Sequence, residues 1–128
     1  MAAMSDYLEN AIINATLRGQ AWTPPATVYL ALYTSNPTDA KTGTEVSGGA
    51  YARQTIAFNT PVNGASASSV DVLFPIATAS WGTVTHIGIF DAVSAGNLLY
   101  HGALTNPKTI AIDDQLKIAA GDITVSLS

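Results

Sequence analysis

The side chains best able to do chemistry in this sequence are two histidines and a few aspartates. His86 and His101 fall in two segments that we expect to pair as neighbouring strands. Two imidazoles are too few for a zinc site, which needs three or four ligands, and no acid lies at a spacing that would complete one. We therefore expect no metal site, and we interpret each histidine as a half-buried sheet residue.

The other residues with catalytic potential do not form a recognisable set. Asp113 and Asp114 are adjacent, so on a strand they would point to opposite faces, and they fit a solvated turn better than a carboxylate pair. The serines lack a Gly-x-Ser-x-Gly elbow, and the glycines Gly43, Gly48 and Gly49 do not have the spacing of a phosphate-binding loop. The sequence therefore predicts no catalytic residues, no enzyme activity and no cofactor.

The aromatic residues leave two interpretations open. Large aromatic side chains most often anchor cores and interfaces, but a row of exposed rings can also stack on sugars. Trp81, which precedes Gly82 at the start of an expected strand, is the main candidate for such a platform. The structural interpretation is favoured for the set as a whole, which comprises Trp22, Tyr29, Tyr33, Tyr51, Trp81 and Tyr100.

Composition points to protein partners. Charged residues make up 11% of the 128 residues and the net charge is -4. Because a surface poor in charge can be covered by a partner at low desolvation cost, we expect extensive contact with other proteins. The few cations leave no basic patch for nucleic acid, and neither a signal peptide nor a membrane-spanning run is recognisable. The cations are Arg18, Lys41, Arg53, Lys108 and Lys117.

One short helix near the N-terminus is expected to precede the strands. Over Asp6–Arg18, apolar residues recur at spacings of three and four, Ser5 or Asp6 can cap the start, and Gly19 can end the helix. Glu9 lies three residues after Asp6, as a capping box requires. So short a helix is marginal alone, so it must dock on its own sheet or on a neighbour.

The rest of the chain reads as one mainly β domain over residues 1–128. Thr27–Tyr33 is the clearest strand and, being apolar on both faces, a central one. Residues 34–50 read as a long loop. Gly and Pro turns separate the other strands, so we expect an antiparallel β-sandwich or barrel of about seven short strands. The other expected strands are Tyr51–Phe58, Ser69–Phe74, Thr83–Phe90, Asn97–Leu104, Lys108–Ile112 and Asp122–Leu127.

Several segments together resemble a family of small tailed-bacteriophage virion proteins, labelled tail-fibre or head-decoration proteins. The resemblance covers most of the chain and implies a virion structural protein that is present in many copies and has no active site. The segments that carry it are Met4–Ala11, Asn14–Gly19, Tyr29–Ala40, Thr44–Gln54, Trp81–Asp91 and Gly96–Leu104.

From the resemblance and the β-rich, charge-poor sequence we expect a capsid decoration (cement) protein. It would form homo-oligomers, with dimer and trimer both open, and stabilise the shell of the major capsid protein, on the capsid surface rather than the tail. The alternative is a tail or tail-fibre component that attaches to a host-surface glycan.

The N-terminal segment and the loop at residues 34–50 are the expected contact elements, with the loop reaching a neighbouring subunit. Arg53 should pair with Glu45 or with an acid on the shell. The candidate partner-contact residues are Tyr7, Leu8, Ile12, Arg18, Trp22, Asn36, Glu45, Gly48, Gly49, Arg53 and Trp81.

Overall fold

The computed structural model describes residues 2–127. Over this range the chain forms one helix and nine strands, all short except two. In chain order these are β1 (Ala3–Met4), α1 (Asp6–Leu17), β2 (Val28–Tyr33), β3 (Gln54–Ile56), β4 (Ala65–Ala67), β5 (Val72–Leu73), β6 (Gly82–Phe90), β7 (Leu98–Ile110), β8 (Lys117–Ile118) and β9 (Thr124–Ser126).

The main sheet has five antiparallel strands in the order β1-β7-β6-β2-β3. Its spine is the β6–β7 hairpin, which pairs Gly88 with His101 and Ile89 with Tyr100. Strand β2 lies between β6 and β3, and its last four residues are fully or almost fully buried. The sequence predicted a central strand here because the run is apolar on both faces, and the structure confirms this position.

Two small sheets, β4–β9 and β5–β8, cover one face of the main sheet. The core between them contains apolar residues from all three sheets. Over residues 2–127 the sheets do not close into a barrel, so of the two expected architectures the structure shows an open sandwich. The core includes Leu30, Leu32, Ile56, Val72, Phe74, Trp81, Ile87, Ile89, Ile118 and Ile123.

A smaller apolar cluster lies on the opposite face of the main sheet, formed by Ala31, Tyr33, Phe90 and Leu98. Helix α1 packs against β7 through Leu8, the one buried residue within the helix. Ser5, rather than Asp6, caps the helix: its side chain accepts a hydrogen bond from the Leu8 N–H at 3.2 Å. The helix expected over residues 6–18 is thus confirmed, with Arg18 as its C-cap.

The expected division between strands Asn97–Leu104 and Lys108–Ile112, by a turn at Asn106-Pro107, is wrong. The segments on either side of it form the single strand β7, which continues from Leu98 to Ile110. The pairing with β6 is irregular between Val84 and His86, where the register on β7 jumps from Lys108 to Ala103. Proline cannot donate a ladder hydrogen bond, but it is tolerated in such an irregularity.

The Ala- and Ser-rich run after Gly64, which lies between the expected strands Tyr51–Phe58 and Ser69–Phe74, contributes a further strand. Asn63 and Gly64 both have positive φ, 53° and 76°, and the flanking Val62 and Ala65 exchange hydrogen bonds of 2.9 and 3.0 Å. This Asn-Gly turn starts β4, which pairs with β9 near the end of the chain. Pairing with a segment distant in sequence therefore decides the conformation here.

Candidate functional site

Arg53 is the centre of a polar cluster with several hydrogen bonds and an ion pair. Its guanidinium forms a two-point ion pair with the Glu45 carboxylate at 2.8 Å, and its Nη1 donates to the carbonyl oxygens of Ala92 and Ala95 at 2.9 and 2.7 Å. The guanidinium carbon lies 3.7 Å from the centre of the Phe90 ring. The Arg53 side chain is 7% exposed. The expected intrachain pair with Glu45 is therefore confirmed.

Two tyrosines share the environment of this ion pair. The Tyr51 hydroxyl donates to Glu45 at 2.6 Å and accepts from the Leu32 N–H at 3.1 Å. Burial, and then the hydrogen bond to Glu45, raise the pKa of Tyr51. Burial, and then the charge of Glu45, raise the pKa of Tyr33 to about 12. Burial alone would lower the pKa of Arg53, but its bonds with Glu45 outweigh this and the pKa is raised. Arg53 therefore stays charged and the two tyrosines stay neutral at physiological pH.

Trp81 lies in the core and offers no exposed aromatic platform. Its side chain packs edge-on against Tyr51 and Phe74, and its indole Nε1 donates to the Gly49 carbonyl at 2.8 Å. The residue is 5% exposed. Gly49 has φ 57°, and a Cβ atom there would lie 2.9 Å from Trp81 Nε1. Trp81 and Gly49, which we predicted as partner contacts, thus contact each other within the domain.

The loop at residues 34–50 is folded back onto its own domain. The Thr34 N–H donates to the Thr44 carbonyl and the Val46 N–H to the Leu32 carbonyl, each at 2.9 Å. Lys41 Nζ donates to the Gly96 carbonyl at 3.0 Å. The two ends of the loop are thus hydrogen-bonded to each other or to β2, and its contact with a neighbouring subunit stays a prediction. Asn36 and Gly48 lie exposed on this closed loop.

The two histidines contact different partners. His86 pairs across the hairpin with Ala103 and His101 with Gly88, so the imidazoles are not directly opposite. His101 Nε2 lies 2.7 Å from Asp39 Oδ1, which ties the loop to β7. Burial, and then the charge of His101, lower the pKa of His86. The interpretation of both histidines as half-buried sheet residues agrees with their positions.

Three carboxylates meet where the helix, the loop and β7 come together. Oxygen atoms of Asp6, Glu9 and Asp39 lie within 4.8 Å of one another, and the Asp6 N–H donates to the Asp39 carbonyl at 2.9 Å. Asp6 and Glu9 share a helix face in the sequence, but the sequence gave no reason to add Asp39. Two of the three residues are exposed, and exposed carboxylates are screened by solvent without any bound ion.

The N-terminal contact candidates differ in accessibility. Leu8 is 3% exposed and Ile12 is half-buried, whereas Tyr7 is 40% exposed. Trp22 Nε1 donates to the Tyr7 hydroxyl at 3.2 Å, and Arg18 donates to Asn14 at 2.9 Å on the helix surface. Ile13 and Leu17, which we did not select, are the most exposed large apolar residues of the helix, at 51% and 79%.

Two adjoining open grooves run between β7 and the C-terminal part of the chain. The first, of about 60 Å³, lies between Gly102–Thr105 and Asp122–Thr124, with Ala2 at one end. The second, of about 310 Å³, continues past Lys108 and Leu116–Ile118. They share Leu104, Thr105, Asp122 and Ile123, and together we call them the strand slot.

These features define a small open β-sandwich domain that presents a partly exposed helix and open surface grooves. Over residues 3–126 the chain matches the family model described as Podophage GP4 fiber I protein gp80, and it belongs to that family. It is therefore a structural protein of a phage virion, as the resemblance implied. No curated protein matches the chain. In the part of the chain that the structure describes, no helix is long and apolar enough to cross a membrane.

Proposed function

We propose that this protein is a structural subunit of the phage tail fibre, that it acts through contacts with other virion subunits and with copies of itself, and that it catalyses no reaction. The observation that carries the proposal is the match to a fibre protein family over residues 3–126. This favours the tail-fibre alternative over the capsid decoration role that we expected from the sequence.

The distribution of polar groups supports a structural role. The Arg53 guanidinium donates its hydrogen bonds to carboxylate and carbonyl groups of the same chain. Exposed apolar residues are instead spread over the helix and the strand connections, including Leu17, Val62, Ile76 and Ile112. Apolar surface of this kind is suited to subunit contacts.

Host-surface attachment would be a natural task for such a subunit, but it would not use the platform we first considered. Trp81 is buried, so Trp81→Ala would remove core packing before it removed any ligand contact. A glycan would have to meet half-exposed aromatic side chains such as Tyr7 and Trp22 instead.

The position of the protein in the particle tests the proposal. Purified virions would be separated into heads and tails, and the chain would be quantified in each fraction by mass spectrometry. We expect it in the tail fraction, with density for the domain along a fibre in cryo-electron microscopy maps. Recovery in hundreds of copies over the head surface would contradict the fibre proposal and restore the decoration role.

A further inference from the structure

Helix α1 leaves an apolar face uncovered. Leu8 is its one buried residue, and the Ser5 cap bonds the start of the helix to β7. Ile13 and Leu17 lie one turn apart on the side away from Leu8, and they are 51% and 79% exposed. A helix of 12 residues is marginal in water without packing. A partner that covers this outer face would therefore stabilise the helix.

The N-terminal end of the helix carries an excess of negative charge. The carboxylates of Asp6 and Glu9 meet that of Asp39 within 4.8 Å. His101 contacts Asp39, and Lys41 on the same loop donates to a backbone carbonyl instead. Within residues 2–127 no lysine or arginine forms an ion pair with any of the three acids. A cation from outside the chain could bind at this end.

Arg18, at the other end of α1, is a cation without an acid. Its Nη1 donates to the neutral amide oxygen of Asn14 at 2.9 Å, and it forms no ion pair with the residues that the structure describes. It is the only charged residue between Glu9 and Asp39 in the sequence. At the rise of an α-helix, Arg18 lies about 14 Å along the axis from Glu9 and about 18 Å from Asp6. It therefore cannot reach the acids of its own helix.

We propose that the exposed face of α1 binds the same face of a second copy of this chain, with the two helices antiparallel about a twofold axis near their midpoint. The Arg18 end of each helix then lies at the acidic end of the other, so one contact is repeated twice. The partner helix would also cover Ile13 and Leu17. A parallel pair would instead bring acids to acids and Arg18 to Arg18.

A second copy is favoured over a different subunit because α1 carries both halves of the charge pairing on one helix. The inference rests on the proposed assembly through contacts between copies, but not on the position of the chain in a fibre. A helix of 12 residues is about 18 Å long, so the helix pair alone buries less than the roughly 1,200–2,000 Å² of a stable interface. We therefore expect the pair to form where the virion holds copies close together.

The absence of cysteine from the sequence makes the pair directly testable. Ile13→Cys would be introduced into the phage, because a residue near the twofold axis lies close to itself in the second copy. Leu73→Cys is the matched control, since Leu73 is 53% exposed and lies on β5. With a short bismaleimide we expect intact particles to give a crosslinked dimer of this chain for Ile13→Cys and not for Leu73→Cys. Equal yields from the two variants, or no dimer from Ile13→Cys, would overturn the proposal.

Charge reversal tests the antiparallel arrangement. In the Ile13→Cys background, Arg18→Glu should lower the dimer yield by about tenfold, because two exposed ion pairs are lost at once. Lys108→Glu makes the same change in net charge at an exposed position of β7 and should leave the yield unchanged. Equal yields from the two charge variants would overturn the antiparallel pairing, and a crosslink to a different virion protein would overturn the choice of partner.

If Ile13→Cys does not assemble into particles, the same reaction is carried out on the concentrated purified protein, since crosslinking traps a weak pair. The two cysteine variants are again compared, and equal rates of dimer formation would refute the pairing. A chain that is found in the fibre without the crosslink through position 13 would refute this inference alone, since its position would still support the proposed function.

Discussion

Arg53 is held entirely by groups of its own chain. Replacing it with alanine would leave the Glu45 carboxylate with only the Tyr51 hydroxyl, and would orphan the Ala92 and Ala95 carbonyls. Removal of one partner from a buried, hydrogen-bonded ion pair costs about 3–5 kcal/mol. We expect Arg53→Ala to lower the free energy of unfolding by this amount, measured by urea denaturation.

Lys117→Ala is the matched control for this variant. Lys117 also pairs with an acid, Asp71, but the two side chains are 58% and 55% exposed. Exposed pairs contribute about 0–1 kcal/mol because water and salt screen them. If Arg53→Ala proved no more destabilising than Lys117→Ala, the Arg53 cluster would not have the structural role that its geometry indicates.

His86 gives the fold a pH dependence of defined sign. Burial and the nearby His101 lower its pKa in the folded state, so the unfolded chain binds the proton more readily. The stability contributed by neutral His86 is complete above the unfolded value of about 6.5 and is lost as the pH falls through the folded pKa.

We therefore expect the melting temperature of the wild type to fall between pH 7.5 and 5.5, and to fall less in His86→Gln. Differential scanning calorimetry across this range would measure both slopes. Equal slopes for the two proteins would show that another group controls the acid sensitivity.

At the scale of elements, Ser5 joins the helix to the sheet. Its hydroxyl oxygen accepts from the Leu8 N–H, its hydroxyl donates to the Leu98 carbonyl, and its own N–H donates to the Leu99 carbonyl at 2.9 Å. The side chain is buried. Ser5→Ala removes the cap and leaves the Leu98 carbonyl without this partner, so we expect a loss of about 1–2 kcal/mol in unfolding free energy.

Thr16→Ala is the control within the same helix. Thr16 is exposed and bonds back to the Ile12 carbonyl at 2.7 Å, an arrangement that does not favour the helix. Its removal should leave the unfolding free energy within about 0.5 kcal/mol of the wild-type value. A Ser5→Ala variant as stable as Thr16→Ala would mean that the N-cap does not anchor α1.

Elements with local signals were predictable from the sequence. The helix has a capping serine and a following glycine, and β2 is a run that is apolar on both faces. The β6–β7 hairpin joins two β-type segments through a polar loop. The strand at Asn106-Pro107 was not predictable, because it depends on the pairing of the residues on either side, up to Ala103 and from Lys108, with β6. Residues 65–67 form a strand because they pair with β9, which is distant in the sequence.

Some polar contacts could also be predicted from the sequence, whereas others depend on the fold. Glu45 and Arg53 are opposite in charge and close in sequence, and their pairing was one of the two alternatives that the sequence offered for Arg53. Asp39 and His101 are separated by 62 residues, and their contact depends on the closed loop meeting β7. The grooves of the strand slot were also missed, because they lie between segments that are distant in sequence.

At the scale of the whole molecule, residues 2–4 join two sheets. They pair with β7 in the main sheet and bridge to β9 in the covering sheet, and Ala2 is 5% exposed. The apolar core is continuous between these sheets, so neither should unfold alone. Removing residues 1–4 deletes several of these hydrogen bonds, each worth about 1 kcal/mol. We therefore expect a loss of about 2 kcal/mol or more that affects both sheets together.

The two tryptophans allow this cooperativity to be measured. In a Trp22→Phe background, fluorescence reports only the buried Trp81, while circular dichroism reports all the strands. For the protein without residues 1–4 we expect both signals to shift to lower denaturant by the same amount and to remain coincident. Leu17→Ala, at a position 79% exposed on α1, should leave the midpoint unchanged. Separate transitions for the two signals would show that the covering sheets unfold independently, and that residues 2–4 do not couple them to the main sheet.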